Sequence, residues 1–216
     1  MIETTMNTEE TYREVMRDYQ CLQQKVLQSS LSFQLEMARK KILTTAKTFT
    51  YQSPHHNKWQ ICMRRLHGRL GITVYLKSVD EKGVVAYIVE KYKDSNATFV
   101  TKFNSHFFKR YNERLHLGLN EPSKVIKHFF RYNDYSRIGF TDVLEDGTRN
   151  IISVFESGIA IGWQQDSPRT TQFKTFIAHD TLTEKQKKLT TFILTQDNSE
   201  EFCINVKKIK LKYKFR

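Results

Sequence analysis

The chain has 216 residues, enough for one domain with an appendage or two small domains, and its 15 Phe, 10 Tyr and 2 Trp within a 39% hydrophobic share support a packed core and exclude global disorder. No apolar run approaches the roughly 20 residues that span a bilayer, so no membrane association is expected. A formal net charge of +12 favours a polyanionic partner, because each neutralised phosphate releases counterions.

The first residues, MIETTMNTEETYREV, are acidic and polar and lack the basic start and apolar stretch of a signal peptide, so a cytoplasmic protein is expected. Neither Gly nor Pro occurs from Thr8 to about Lys47, and Tyr12, Val15, Met16, Tyr19, Leu22 and Val26 recur at helical spacing. One long helix, or two broken near QSSLS, is predicted there. This helical segment, residues 1–52, is an accessory unit and a candidate surface for a protein partner. QSPHHNK, with Pro54, reads as the linker to an α+β domain over 58–216. GITVYLKSV and GVVAYIVEKY, separated by DEKG, predict a β-hairpin.

FNSHFFKRYNERL follows, with Asn104 or Ser105 as cap of a helix starting at His106. At about 100° per residue, His106, Arg110 and Arg114 fall within roughly 80° of one another and form one cationic stripe. Phe107, Tyr111 and Leu115 make the neighbouring apolar stripe, which can dock while the cationic one borders a cleft. Lys109 and Glu113 are expected to pair weakly. EPSKVIKHFFRY predicts a second short helix with Glu121 and Pro122 at its first turn. SRIGFTDVL, TRNIISVFE, GIAIGWQQ and TTQFKTFIA then predict four antiparallel strands, with Asp146-Gly147 and Ser157-Gly158 at turns. A last helix is predicted to begin near Thr181 or Thr183. The fold class is α+β, with short helices packed on an antiparallel meander.

The C-terminal CINVKKIKLKYKFR carries six Lys or Arg and no acid. Its alternation predicts a strand with Lys208, Lys210 and Lys212 on one face, either a nucleic-acid-binding strip or a charged edge that resists aggregation.

The His-x-x-x-Arg-x-x-Glu-Arg helix, HFFKRYNER, followed by a short helix and a meander that ends in QFKTFI, resembles small nuclease-like domains of the barnase/EndoU/RelE superfamily, many of them toxins. The resemblance covers about residues 98–180. It implies metal-independent RNA cleavage, with His106 as general base or acid and Arg110, Arg114 and Lys174 as phosphate ligands. Thr175 is implied as a hydrogen-bond donor. Some relatives use a second histidine, for which His179 is the best placed here, with His116 and His128 as alternatives.

Plainer readings stand beside these. His106 can simply start a helix, Arg110 and Arg114 can pair with acids such as Asp142, Glu145 or Glu156, and Lys174 and Thr175 can be ordinary strand residues. A non-catalytic module binding nucleic acid, RNA rather than DNA, or a protein partner through the same basic surface is the alternative function, with Phe129, Phe130, Tyr132 and Tyr135 available for stacking. Cys21, Cys62 and Cys203 lack metal-knuckle or paired spacing, and His55, His56 and His67 lack an accompanying carboxylate or Cys, so no metal is expected. Asn96 opens an Asn-Ala-Thr sequon of no consequence without secretion. GxGxxG, P-loop, HExxH and GxSxG patterns are absent, and no cofactor is expected.

Overall fold

The computed structural model describes residues 1–42, 45–66, 69–91, 97–133, 136–140 and 143–195. Lys208, Lys210 and Lys212 lie outside the described residues, as do His67, Asn96, Tyr135, Asp142 and Cys203. The fold is α+β. Helix α1 (Thr8–Lys40) leads into strands β1 (Thr45–Gln52), β2 (Lys58–Leu66), β3 (Arg69–Asp80), β4 (Gly83–Lys91) and β5 (Thr98–Phe103). Helices α2 (Ser105–Arg114) and α3 (Pro122–Tyr132) follow, then β6 (Ser136–Phe140), β7 (Thr148–Phe155), β8 (Gly158–Asp166), β9 (Arg169–Ala178), a 3-10 turn at His179–Thr181 and α4 (Glu184–Thr195).

The described strands form one sheet in the order β1-β2-β3-β4-β5-β9-β8-β7-β6. Two antiparallel meanders meet at its centre, where β5 and β9 run parallel from Val100↔Thr170 to Phe103↔Phe173. The predicted hairpin of β3 and β4 closes at Asp80↔Gly83, and the predicted four-strand meander is present.

The predicted N-terminal helix is a single helix and stops seven residues short of Lys47. Asn7 and Glu10 form a capping box at its start, through bonds of 2.9 and 2.8 Å, and Lys41 closes it in the left-handed conformation at φ 52°. A lysine in the role usually taken by glycine hides this stop from the sequence. Beyond it, Thr- and aromatic-rich TAKTFTYQ is β1. QSPHHNK is the hairpin turn to β2, closed by Ser53 N to Asn57 O at 2.9 Å, so segment 1–52 holds a strand as well as a helix.

The sheet is covered on both faces. Val15, Leu22, Phe33 and Met37 of α1 pack on Trp59, Ile61, Met63, Leu76, Val85, Tyr87 and Val100. The outer side of α1 leaves Leu27, Leu31 and Leu35 exposed, which is the surface this helix offers to solvent. The opposite face carries α2 and α3 on an aromatic core in which Phe103, Phe107, Phe129, Phe130, Phe173 and Phe176 are buried. Each such burial removes apolar area worth about 1.5–3 kcal/mol. On the α1 side of the second meander, α4 covers Val154 and Ile159 with Leu189 and Ile193. Thr183 and Gln186 bond reciprocally at its start, as expected for a helix opening near Thr183.

Candidate functional site

Helix α2 begins where β5 ends, and three bonds fix its first turn. The Asn104 amide donates to the Phe173 carbonyl at 3.2 Å. Gln172 Nε2 donates to Asn104 Oδ1 at 2.9 Å, and Ser105 Oγ donates to the Lys82 carbonyl at 2.8 Å. Asn104 is therefore the N-cap by position, but its side chain is turned toward β9 and makes no cap bond. The first-turn amides of α2 keep no side-chain acceptor from it, and His106 is held exposed beside them.

Lys174 reaches the same place by a different device. Gly162 pairs with Phe173 and Ile161 with Thr175, so Lys174 is the extra residue of a β-bulge. The bulge lets Phe173 and Phe176, three apart, both enter the aromatic core. Gly162 is required opposite it, because a Cβ there would collide with the Gln172 carbonyl.

His106 and Lys174 line one open cleft of about 730 Å³. Its floor is a row across the sheet, Tyr87↔Lys102, Lys102↔Gln172 and Gln172↔Trp163. One wall is the segment Glu3–Thr8 and another the β3–β4 turn with Asp80, Glu81 and Lys82. Lys102 Nζ pairs with Asp80 Oδ2 at 2.8 Å and lies 5.9 Å from the Tyr87 ring centroid. Burial, and then the charge of Asp80, push the Tyr87 hydroxyl well above the usual phenol range, so it stays a proton donor. Trp163 is half-buried, leaving part of its ring open to the cleft. Three lysines in the lining, Lys82, Lys102 and Lys174, are matched by three acids, Glu3, Asp80 and Glu81.

The other sequence-predicted residues lie elsewhere. Arg110 is exposed one turn beyond His106 and pairs with Glu113 at 3.1 Å, where Lys109 was expected to be the partner. Arg114 donates through Nη1 to the Phe176 carbonyl, beyond the point where the β5 ladder stops, and its charge is disfavoured first by burial and then by Arg110. Thr175 sits after the bulge opposite Ile161 and is not in the cleft lining. His179 Nε2 is 3.0 Å from the Phe155 carbonyl, and His128 Nδ1 is 3.0 Å from the Tyr111 hydroxyl. His116 ends the α2 turn at φ 50°. None of these three histidines lines the cleft. Phe129 and Phe130 are buried core residues and offer no stacking face, whereas Tyr132 is 45% exposed.

The sequence reading missed Trp163, Lys102, Gln172 and the Glu3–Thr8 wall. Trp163 carried one legible signal, a large aromatic beside two Gln in a strand otherwise alternating Ile and small residues. Lys102 carried none, since its role depends on the parallel register of β5 with β9. Comparison with protein-family models, with curated proteins and with solved structures returned no match. Among the described residues no helix is long and apolar enough to cross a membrane, and no group of three or more His, Cys, Asp or Glu is arranged to hold a metal ion.

Proposed function

We propose that the cleft takes an RNA phosphodiester and cleaves it without a metal ion, with His106 and Lys174 on either side of the reacting phosphate. The observation that carries this reading is their shared cleft: a residue at a helix start and a residue at a strand bulge, far apart in sequence, meet in one open lining. The resemblance of HFFKRYNER and QFKTFI to nuclease-like domains supports the same pair.

In this reading the His106 imidazole takes the proton of a ribose 2′-hydroxyl, whose oxygen attacks phosphorus. The 5′-oxygen leaves with a proton from water, giving a 2′,3′-cyclic phosphate and a 5′-hydroxyl. Lys174, together with the uncapped first-turn amides of α2, offsets the charge that builds on the non-bridging oxygens. Trp163 offers a face for one base, and Gln172 fixes the α2 start. Arg110 stands outside the lining and pairs with Glu113, and Arg114 acts structurally by holding β9.

A second reading, RNA binding without cleavage at the same cleft, is favoured by one observation: His106 is the sole histidine among the described residues of the lining. End-labelled single-stranded RNA incubated with the protein and a chelator separates the two. The cleavage reading expects cyclic-phosphate products, with the rate falling about 10²-fold or more in His106→Ala and in Lys174→Ala. Intact RNA with binding weakened by Lys174→Ala would instead establish the second reading.

A further inference from the structure

The three lysines lining the cleft are matched by three acids, so the chain's surplus of positive charge lies outside that lining. Residues 105–132, which hold both α2 and α3, contain six Lys or Arg (109, 110, 114, 124, 127, 131) against two acids (Glu113, Glu121), a surplus of 6 − 2 = 4. The surplus concentrates on α3. Val125, Ile126, Phe129 and Phe130 occupy its buried side. At about 100° per residue, Lys124, Lys127, His128, Arg131 and Tyr132 fall within roughly 140° on the other side, and PSKVIKHFFRY contains no acid at all.

Flanking strands extend this face. Lys77 of β3 donates to Ser123 Oγ at 3.0 Å, placing a further ammonium beside the helix start. Arg64 of β2 bonds the Arg131 carbonyl at 3.4 Å and Glu156 at 3.5 Å at the helix end. Lys124 has Glu121 at 2.7 Å as an exposed partner. Among the described residues no carboxylate pairs with Lys127 or Arg131. The cations are interleaved with aromatic groups: the His128 and Tyr132 rings are 4.6 Å apart, and the Arg131 guanidinium lies 5.7 Å from the Tyr132 ring.

We propose that the outer face of α3 is a second RNA-binding surface, in which Lys124, Lys127 and Arg131 neutralise consecutive backbone phosphates and Tyr132 stacks on an unpaired base. Lysines spaced along one helical face suit a phosphate backbone, and an exposed tyrosine next to an arginine suits an unstacked base rather than a lipid headgroup layer. This surface gives affinity, whereas the cleft gives chemistry or selection. The inference rests on RNA being the partner, but not on cleavage.

The test uses the full chain and a single-stranded 20-nucleotide RNA, followed by fluorescence anisotropy across a salt series. The Lys124→Gln/Lys127→Gln/Arg131→Gln variant is expected to raise Kd at least 10-fold. It should also lower the slope of log affinity against log salt by about 2, since each single-strand phosphate contributes about 0.7. Tyr132→Ala is expected to raise Kd several-fold without changing the slope, and its fold is checked by its melting curve. Lys40→Gln, on exposed α1 across the sheet, should leave both quantities nearly unchanged.

An unaltered Kd and slope in the triple variant, with Tyr132→Ala also silent, would overturn the proposal while leaving any cleavage by the cleft standing. Retained α3-dependent RNA binding by a protein that never cleaves would overturn the cleavage reading and leave this inference standing. Triple-variant-sensitive binding to anionic vesicles with no RNA affinity would assign the face to membranes and overturn it as well.

Discussion

On the face under α1, a directional polar network sits inside the apolar contact. Asp18 is fully buried and its Oδ2 accepts from Trp59 Nε1 and from Asn57 Nδ2, both at 2.8 Å. Asn57 also receives the Ile2 amide at 2.9 Å and donates to Glu14 at 3.2 Å. On the face under α2 and α3, rings meet rings. Phe103 has six phenylalanine neighbours with centroids between 5.1 and 6.4 Å. Hydrogen bonds fix α1 at one register and angle, because buried donors are costly to leave unmade, whereas α2 and α3 are held mainly by aromatic packing, with the Tyr111–His128 and Asn133–Tyr111 bonds at its edge. The cleft lies where the two systems meet: the Glu3–Thr8 wall follows directly on Ile2, which the polar network holds, and His106 stands on a helix held by the aromatic core.

The largest effect is expected from breaking the aromatic side. Phe103→Ala should cost about 3–5 kcal/mol in urea unfolding, since it removes the ring against which both α2 and α3 pack and leaves a cavity. A loss under about 1 kcal/mol would show that this core repacks and does not depend on shape. The polar side should respond to chemistry more than to volume. Asp18→Ala strands the Trp59 and Asn57 donors and should cost about 3 kcal/mol, whereas Asp18→Asn keeps one oxygen for both donors and should cost about 1 kcal/mol. In Asp18→Ala, hydrogen exchange should quicken across residues 2–8, the cleft wall, while α3 stays protected. Equal losses in the two variants would mean that the network contributes filling rather than direction.

Much of the aromatic half was legible in the sequence, because its elements carry their own signals. HFFKRYNER and KVIKHFFRY keep helical spacing, and the strands from Ser136 to Ala178 alternate between turn residues. The polar half was less so. TAKTFTYQ follows the helix without Gly or Pro, because Lys41 supplies the left-handed residue, and in KWQICMRRL the alternation of Trp59, Ile61 and Met63 is short and blurred by Cys62. The cationic stripe was read correctly as one helix face, yet its three members part company in space. His106 reaches the cleft, Arg110 turns to Glu113, and Arg114 is drawn to a strand carbonyl left beyond the β5 ladder. Periodicity assigns a face of a helix, but not what stands opposite each turn of it. Lys174 was singled out by resemblance, and the bulge that aims it needs the partner strand to be seen.

Glu90 tests the comparison at its weakest point, where a carboxyl intrudes on the aromatic face. It borders a cavity of about 180 Å³ together with Phe103, Phe130, Phe155 and Asn133, and accepts a bond from the Thr101 hydroxyl. Thr73 lines the same cavity with a buried hydroxyl that has no partner among the described residues. Burial pushes the Glu90 carboxyl above the usual carboxylate range, and the Thr101 bond only partly opposes this. A raised folded-state value means that the native protein binds the proton more tightly than the unfolded chain, so stability is greatest below the ordinary carboxylate value and falls as pH rises through the folded one. Glu90→Gln keeps the shape and removes the ionisation. Its melting temperature should therefore match that of the unaltered protein at about pH 4, and exceed it by a few degrees near pH 7. A gap that is widest in acid would reverse the sign and place a stabilising, ionised carboxylate in the ring core, so that the two faces of the sheet would no longer differ in kind.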